Sequence, residues 1–548
     1  AIEAFRAAVR LDPRNVDAQR NLGIMLAESG RLEDAASCLR AAGNLRPDLI
    51  DTWSKLGNIL RELGRPDEAR SAFLKALEVR PASFQARWNL CISHLRLIYA
   101  SEEEIGRARA GYERDLTALA RDWTASDSAL RLDADSFGEL QPFYLPYQGR
   151  NDRELQRLHG GLACRVIQAR YPQFAVLPAR AAAKPKARIR VGMVSAFFLR
   201  HSNWKIPIRG WLENLDRRQF AVHGYHVGQG SDDITRIAEA GFERFVAGHR
   251  KIEQWAKLIR DDDLDVLIFP EIGMDMTTLR LAALRLAPVQ AVSWGHPNTS
   301  GLPSVDYFLS SALMEVPEAD EHYTERLVRL PNLSIHYIPP AVPPKLDINR
   351  EEIGVSSGST MYWCCQALFK YLPQHDEIFP RIAREVSSAK FVFIEHTHGR
   401  AVTRAFQERL SRAFATFGLA ARDRCIFLPH MSYDRFCAVA SKADVFLDSI
   451  GWSGCNSTLE SLHWNTPVVT LPRRMMRSRH SAAILEMMGV KETVADGAES
   501  YVAIAARLGL DKDWRSSVSG RIAEAKHKIL ADMECIRGLE EFLRGVAR

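Results

Sequence analysis

Apolar and small positions recur every 34 residues over the first hundred residues of the chain. Pro13, Pro47 and Pro81 keep that spacing, as do Leu22, Leu56 and Leu90. Gly23 pairs with Gly57, Gly30 with Gly64, Ala35 with Ala69, Leu39 with Phe73, and Ala8 with Ala42 and Ala76. A 34-residue period of this kind is the tetratricopeptide repeat, two antiparallel helices per unit. One unit cannot bury its apolar face alone, so stacked neighbours build a continuous core and a concave groove. The groove is expected to receive a polypeptide; a purely structural cap is the other reading. Residues 1–13 read as the second half of a repeat whose first half lies upstream.

The period fades beyond about residue 83, where a degenerate unit begins near Ala86. An aromatic, proline-punctuated break follows over 141–149, then a helix over 153–170 and a linker rich in Ala and Pro over 172–185. From Ile189 the pattern becomes short apolar runs alternating with helical stretches. Runs at 188–195, 220–227, 266–269, 291–296 and 307–309 predict one set of strands. After a linker over 341–357, containing Pro343 and Pro344, runs at 360–365, 391–395, 425–428, 445–447 and 468–471 predict a second. Strands alternating with helices indicate parallel, doubly wound sheets. The expected fold is an all-α tetratricopeptide repeat superhelix followed by two Rossmann-like α/β domains. That is the GT-B arrangement, which other two-domain α/β enzymes share, with a ligand cleft between the carboxyl ends of the two sheets. Expected bounds are 1–100 for the repeats, 101–185 for a helical connector, 186–345 and 358–500 for the two α/β lobes, and 501–548 for helices packing back on them.

Composition narrows the class. The 548 residues suggest three or four domains. A hydrophobic share of 46% and a charged share of 26% are those of ordinary globular protein. Lys+Arg 73 against Asp+Glu 67, mixed along the chain, argues against a nucleic-acid partner. No apolar stretch approaches the length of a membrane span. Nine scattered cysteines with neither a disulfide framework nor zinc spacing suggest a reducing, cytoplasmic setting.

Candidate chemistry centres on residues 443–467, ADVFLDSIGWSGCNSTLESLHWNTP. An apolar strand runs into a small-residue loop and then a helical pattern. That layout aims free N–H groups and a helix N-terminus at an anion. Gly454, Asn456, Ser457 and Thr458 keep the loop low and polar enough for a phosphate, and Glu460 is placed in the first turn to suit the helix dipole and accept ribose hydroxyls. A plain capped helix is the alternative. His201, in the loop after the first strand, is a candidate base for a hydroxyl nucleophile. Lys370 follows the first strand of the second lobe, where a cation meets a diphosphate leaving group. His296, Pro297, Asn298 and Thr299 form a rigid polar loop suited to sugar hydroxyls. Each of these has an ordinary reading too: a surface histidine, a solvated lysine, a turn. His396 and His398 lack a third metal ligand, so no metal is expected. The run 261–263 of three aspartates reads as a helix-to-strand connection.

Taken together these motifs resemble the O-linked N-acetylglucosamine transferase family, in a bacterial form. RVGMVSAFFLRH resembles the family's Arg-Ile-Gly-Tyr-Val-Ser-Ser-Asp-Phe-x-x-His and places its active-site histidine on His201. WGHPNTSG resembles Gly-Tyr-Pro-Gly-Thr-Ser-Gly, near the sugar. CCQALFK resembles Phe-Asn-Gln-Leu-Tyr-Lys, carrying over Gln366 and the diphosphate lysine Lys370. FLPHMSYDRF is similar to the uracil-contacting segment, which puts His430, Met431 and Tyr433 around the base. The loop at 454–460 resembles Gly-His-Thr-Thr-x-x-Asp, with Asn456, Ser457 and Thr458 on phosphates and Glu460 on the ribose. The sequence departs at Phe197, where the family has Asp, at Cys455 for His, at Glu460 for Asp, at His296 for Tyr, at Asn298 for Gly, and by the extra Ala367. The resemblance implies an inverting, metal-independent, cofactor-free transferase acting from UDP-N-acetylglucosamine on Ser or Thr of a polypeptide held by the repeats. His201 or a phosphate of the sugar nucleotide takes the proton. A scaffold that binds UDP without turnover, or a transferase for another UDP-sugar or acceptor, remains the alternative.

Overall fold

The computed structural model describes residues 1–123, 137, 140–177, 187–339, 348–397 and 400–547. The linker prolines Pro185, Pro343 and Pro344, and His398 of the weighed metal pair, lie outside them. The chain divides into two compact units: residues 1–145 with 395–409, and residues 146–394 with 410–548. The boundary falls inside the stretch read as one connector, so the helix Arg153–Arg170 belongs to the second unit.

In the first unit, helices Val16–Glu28 and Leu32–Leu45 form one antiparallel pair and Ile50–Glu62 with Pro66–Val79 the next. The period has a steric cause. A Cβ on Gly23 would lie 2.7 Å from Leu39, and one on Gly57 would lie 2.3 Å from Phe73. Each glycine thus admits the large residue of its own partner helix, and the pairing repeats 34 residues on. Gly30 and Gly64 take φ of 76° and 71°, the left-handed turn that ends the first helix of each pair. Leu22, Leu39, Trp53, Leu56, Leu60 and Phe73 share one core.

The second unit holds two parallel sheets. The first runs β3-β2-β1-β4-β5-β6-β7, with β1 Ile189–Ser195, β2 Phe220–His226, β3 Arg244–Ala247, β4 Val266–Phe269, β5 Val289–Ser293, β6 Tyr307–Ser311 and β7 Arg326–Leu330. The second runs β10-β9-β8-β11-β12, with β8 Thr360–Cys364, β9 Ala389–Ile394, β10 Cys425–Leu428, β11 Val445–Leu447 and β12 Val468–Val469. Strands β3 and β7 were not expected from the pattern. Both are edge strands with an arginine at the start, so neither shows a continuous apolar run. Strand order reverses between β1 and β4 in one sheet and between β8 and β11 in the other. Ligands of open α/β sheets bind outside the carboxyl ends of strands at such points.

The tail returns across the unit. Helix Ala498–Leu510 lies on the second sheet, where the Tyr362 hydroxyl donates to the Ala505 carbonyl at 2.9 Å. Helix Glu534–Val546 instead covers the first sheet: Cys535, Ile536, Leu539 and Leu543 share a core with Val191, Met193, Trp211 and Leu330. No helix among the described residues is long and apolar enough to cross a membrane.

Candidate active site

A cavity of about 580 Å³ lies at the two switch points, bordered by the loops after β1, β5, β8 and β11. Its wall includes His201, His296, Pro297, Gln366, Lys370, Met431, Tyr433, Gly454, Cys455, Asn456, Ser457 and Glu460. The strand ends therefore gather residues more than 250 positions apart in sequence.

On the second-lobe side the loop after β11 is built around Asp448. Its buried carboxylate accepts from Ser453 Oγ (2.6 Å), Gly454 N (2.7 Å) and Thr470 Oγ1 (2.7 Å). The helix that follows starts at Asn456, earlier than the apolar pattern indicates, and no side chain caps it. Its first N–H groups are left for a ligand. Ser457 Oγ accepts from Gln366 Nε2 at 2.6 Å, and Gln366 Oε1 accepts from Lys370 Nζ at 2.9 Å. Gly454 makes this possible, because a Cβ there would stand 2.3 Å from Gln366 Nε2 and 2.4 Å from Ser457 Oγ. Burial disfavours the ammonium of Lys370 and pulls its pKa down to about 8, against the raising influence of the nearby Asp448. Burial likewise pushes the Cys455 thiol up to about 12, so it stands in the wall as a neutral group.

Three expectations on this side need correcting. Glu460 is not in the first turn: with the helix starting at Asn456 it sits one turn in, away from the dipole's end. Its Oε1 accepts from Lys205 Nζ at 3.1 Å and Asn456 Nδ2 at 2.8 Å, an ion pair joining the two lobes. The Thr458 hydroxyl turns away from the cavity, donating to the Gly454 carbonyl at 2.8 Å and lying 2.7 Å from Ser481 Oγ. His430 is exposed and does not border the cavity, whereas its neighbours Met431 and Tyr433 do.

On the first-lobe side, the Asn203 backbone N–H donates to His201 Nδ1 at 3.1 Å. A neutral His201 then carries its proton on Nε2 and presents a donor. Burial and the nearby Lys205 lower its pKa. Phe197 stacks on the ring at 4.3 Å between centroids. His296 and Pro297 border the cavity, but Asn298 and Thr299 lie behind it. Thr299 Oγ1 donates to Glu325 at 2.6 Å, and Asn298 Oδ1 accepts from Arg477 at 3.4 Å. Arg477 in turn meets the buried Asp152 at 3.0 Å. Burial holds His296 neutral, its pKa lowered to about 3.

Sequence reasoning missed Tyr147, Trp294, Trp452 and His480, all in the cavity wall, and Lys205, which reaches Glu460. Tyr147 and Trp452 stack at 3.8 Å although 305 residues separate them. No local motif announces such a pair. Among the described residues, no group of three or more His, Cys, Asp or Glu side chains is arranged to hold a metal ion.

The sequence model described as Glycosyl transferase family 41 matches residues 143–337 and 346–533, and tetratricopeptide models match 1–48 and 50–83. A rice relative, named as a probable UDP-N-acetylglucosamine–peptide N-acetylglucosaminyltransferase SPINDLY, is 26% identical over 449 residues, 77% of this chain and 46% of its own. A UDP-glucose:protein N-β-glucosyltransferase of Actinobacillus pleuropneumoniae is 23% identical over 313 residues, 55% of this chain and 48% of its own. The chain thus spans about half the length of these curated relatives. The solved structure of a mutant Thermobaculum terrenum O-GlcNAc transferase superposes with a TM-score of 0.71 at 24% identity, covering 100% of this chain and 93% of that one, and so shares its fold.

Proposed function

Because the chain belongs to glycosyl transferase family 41, we propose that it is an inverting, metal-independent enzyme that moves N-acetylglucosamine from UDP-N-acetylglucosamine to Ser or Thr hydroxyls of a polypeptide recruited by the repeats. One observation carries this reading: the chain of contacts from Lys370 through Gln366 to Ser457, ending at the uncapped helix Asn456–His463. A cation, an amide and free N–H groups converge on one spot, as a diphosphate requires. Met431 and Tyr433 flank the uracil, and Glu460 takes the ribose hydroxyls while keeping its bond to Lys205.

In the proposed reaction an acceptor hydroxyl attacks the anomeric carbon from the face opposite the diphosphate. The new C–O bond forms as the bond to the β-phosphate oxygen breaks, and UDP leaves with Lys370 offsetting its charge. With Nδ1 of His201 engaged by Asn203, His201 donates a hydrogen bond. The hydroxyl proton passes to a phosphate oxygen of the donor, the other acceptor open to it.

Transfer of radiolabelled sugar to peptides, with EDTA present, tests the reading. Label retained under EDTA and lost in Lys370→Ala supports it. UDP binding without any transfer would instead identify a nucleotide-binding scaffold, the outcome to which the changes at Phe197 and Cys455 would point. A second reading, transfer of glucose, is favoured by the name of the Actinobacillus relative, and the departure at His296 stands in the cavity wall. Competition between UDP-glucose and UDP-N-acetylglucosamine separates the two.

A further inference from the structure

His480 borders the cavity between Trp294 and Ser453 and is only 3% exposed. Its Nδ1 lies 3.3 Å from the Ser453 carbonyl oxygen. A carbonyl only accepts, so Nδ1 carries the hydrogen and Nε2 is left as a lone pair. That buried Nε2 has no hydrogen-bond partner among the described residues. Buried acceptors are seldom left unmet in folded proteins, which directs attention to a ligand group that donates. Burial, then the nearby Lys370, holds the ring neutral with its pKa near 4, so the lone pair persists through neutral pH. His201 borders the same cavity in the opposite tautomer.

The surrounding groups narrow what that donor is. Trp294 spends its indole N–H on Ser334 Oγ at 2.7 Å, and the Ser453 hydroxyl is spent on Asp448 at 2.6 Å. A diphosphate has no hydrogen to give at neutral pH. The ribose and base hydrogens are assigned to Glu460 and the Met431–Tyr433 wall. What remains beside the diphosphate lysine and the loop of His296 is the sugar, whose hydroxyls both give and accept.

We propose that His480 is a specificity residue that accepts a hydrogen bond, through Nε2, from one hydroxyl of the donor sugar. The assignment rests on the UDP-sugar reading above.

Calorimetry on the full chain with UDP, UDP-glucose and UDP-N-acetylglucosamine tests it in wild type, His480→Leu and His480→Gln. With the UDP-sugar that wild type binds more tightly, His480→Leu is expected to weaken binding at least tenfold while UDP stays within twofold. His480→Gln, whose amide oxygen still accepts, recovers most of the loss. The loss of UDP-sugar affinity in His480→Leu is the same at pH 6 and at pH 8. Equal weakening of UDP and UDP-sugar in His480→Leu would make the residue merely structural and overturn the proposal, as would no weakening of either. If wild type binds no UDP, the nucleotide reading falls and takes this assignment with it; if UDP binds normally and only the ratio fails to move, this assignment falls alone.

Discussion

Lys370 makes the nucleotide site pH-dependent at a single group. Its pKa is lowered to about 8 by burial. A bound diphosphate favours the charged amine, so binding takes up a proton once the pH passes that value. Affinity for a UDP-sugar, whose diphosphate is fully ionised throughout, is expected to be level from pH 6 to pH 7 and to fall above pH 8, approaching a factor of about ten per pH unit; calorimetry in buffers of different ionisation enthalpy checks both the fall and the proton. Gly454→Ala tests the same spot by shape. The added methyl would sit 2.3 Å from Gln366 Nε2, so Gln366 must leave Ser457. UDP affinity should drop by about tenfold or more, the value of one or two charge-assisted bonds, with little change in melting temperature. At this scale the sequence was partly legible. Lys370 and Gly454 were found because each follows an apolar strand, and Gln366 because it stands four residues before Lys370 in the motif that carries the resemblance; the contact of Gln366 with Ser457, 91 positions on, was not legible. His480 was not found, because its tautomer is set by a carbonyl 27 residues earlier.

Elements carry the rigidity of the sugar-side loop. Residues 296–301 are clamped from behind by the helix Arg153–Arg170, where a Cβ on Gly160 would lie 2.1 Å from the Gly301 carbonyl oxygen. Backbone cannot step aside as a side chain can. Gly160→Ala is therefore expected to destabilise the unit by about 1–3 kcal/mol, read as a lower denaturant midpoint. Arg477 ties the same loop to Asp152 with both side chains almost wholly buried. Arg477→Met takes the guanidinium away from the buried Asp152 and should cost about 3–5 kcal/mol, measurable by urea unfolding. Long apolar strands and the repeat helices were legible because their periodicity is local. The edge strands β3 and β7 and the early start of the Asn456–His463 helix were not: short arginine-led strands lack alternation, and Cys455 is no capping residue.

The whole α/β unit is cross-connected. The chain passes from the first sheet to the second, then sends Glu534–Val546 back to the core of the first. Removing residues 534–548 strips Ile536, Leu539 and Leu543 from Trp211, Leu215 and Leu330. The truncated protein is expected to be recovered in aggregates, or to bind an apolar dye such as ANS, even though the cavity walls named here all lie upstream. The tandem of repeats and two doubly wound sheets was legible in the sequence. The destination of the last helix was only a suggestion, since an amphipathic stripe does not say which sheet it will cover. Its placement also sets a timetable. On a ribosome, the first sheet is complete at Leu330, but the helix that seals it emerges about 200 residues later. At ~5–20 residues per second the exposed apolar face waits roughly 10–40 s. For that interval the nascent chain presents the kind of apolar surface that chaperones bind.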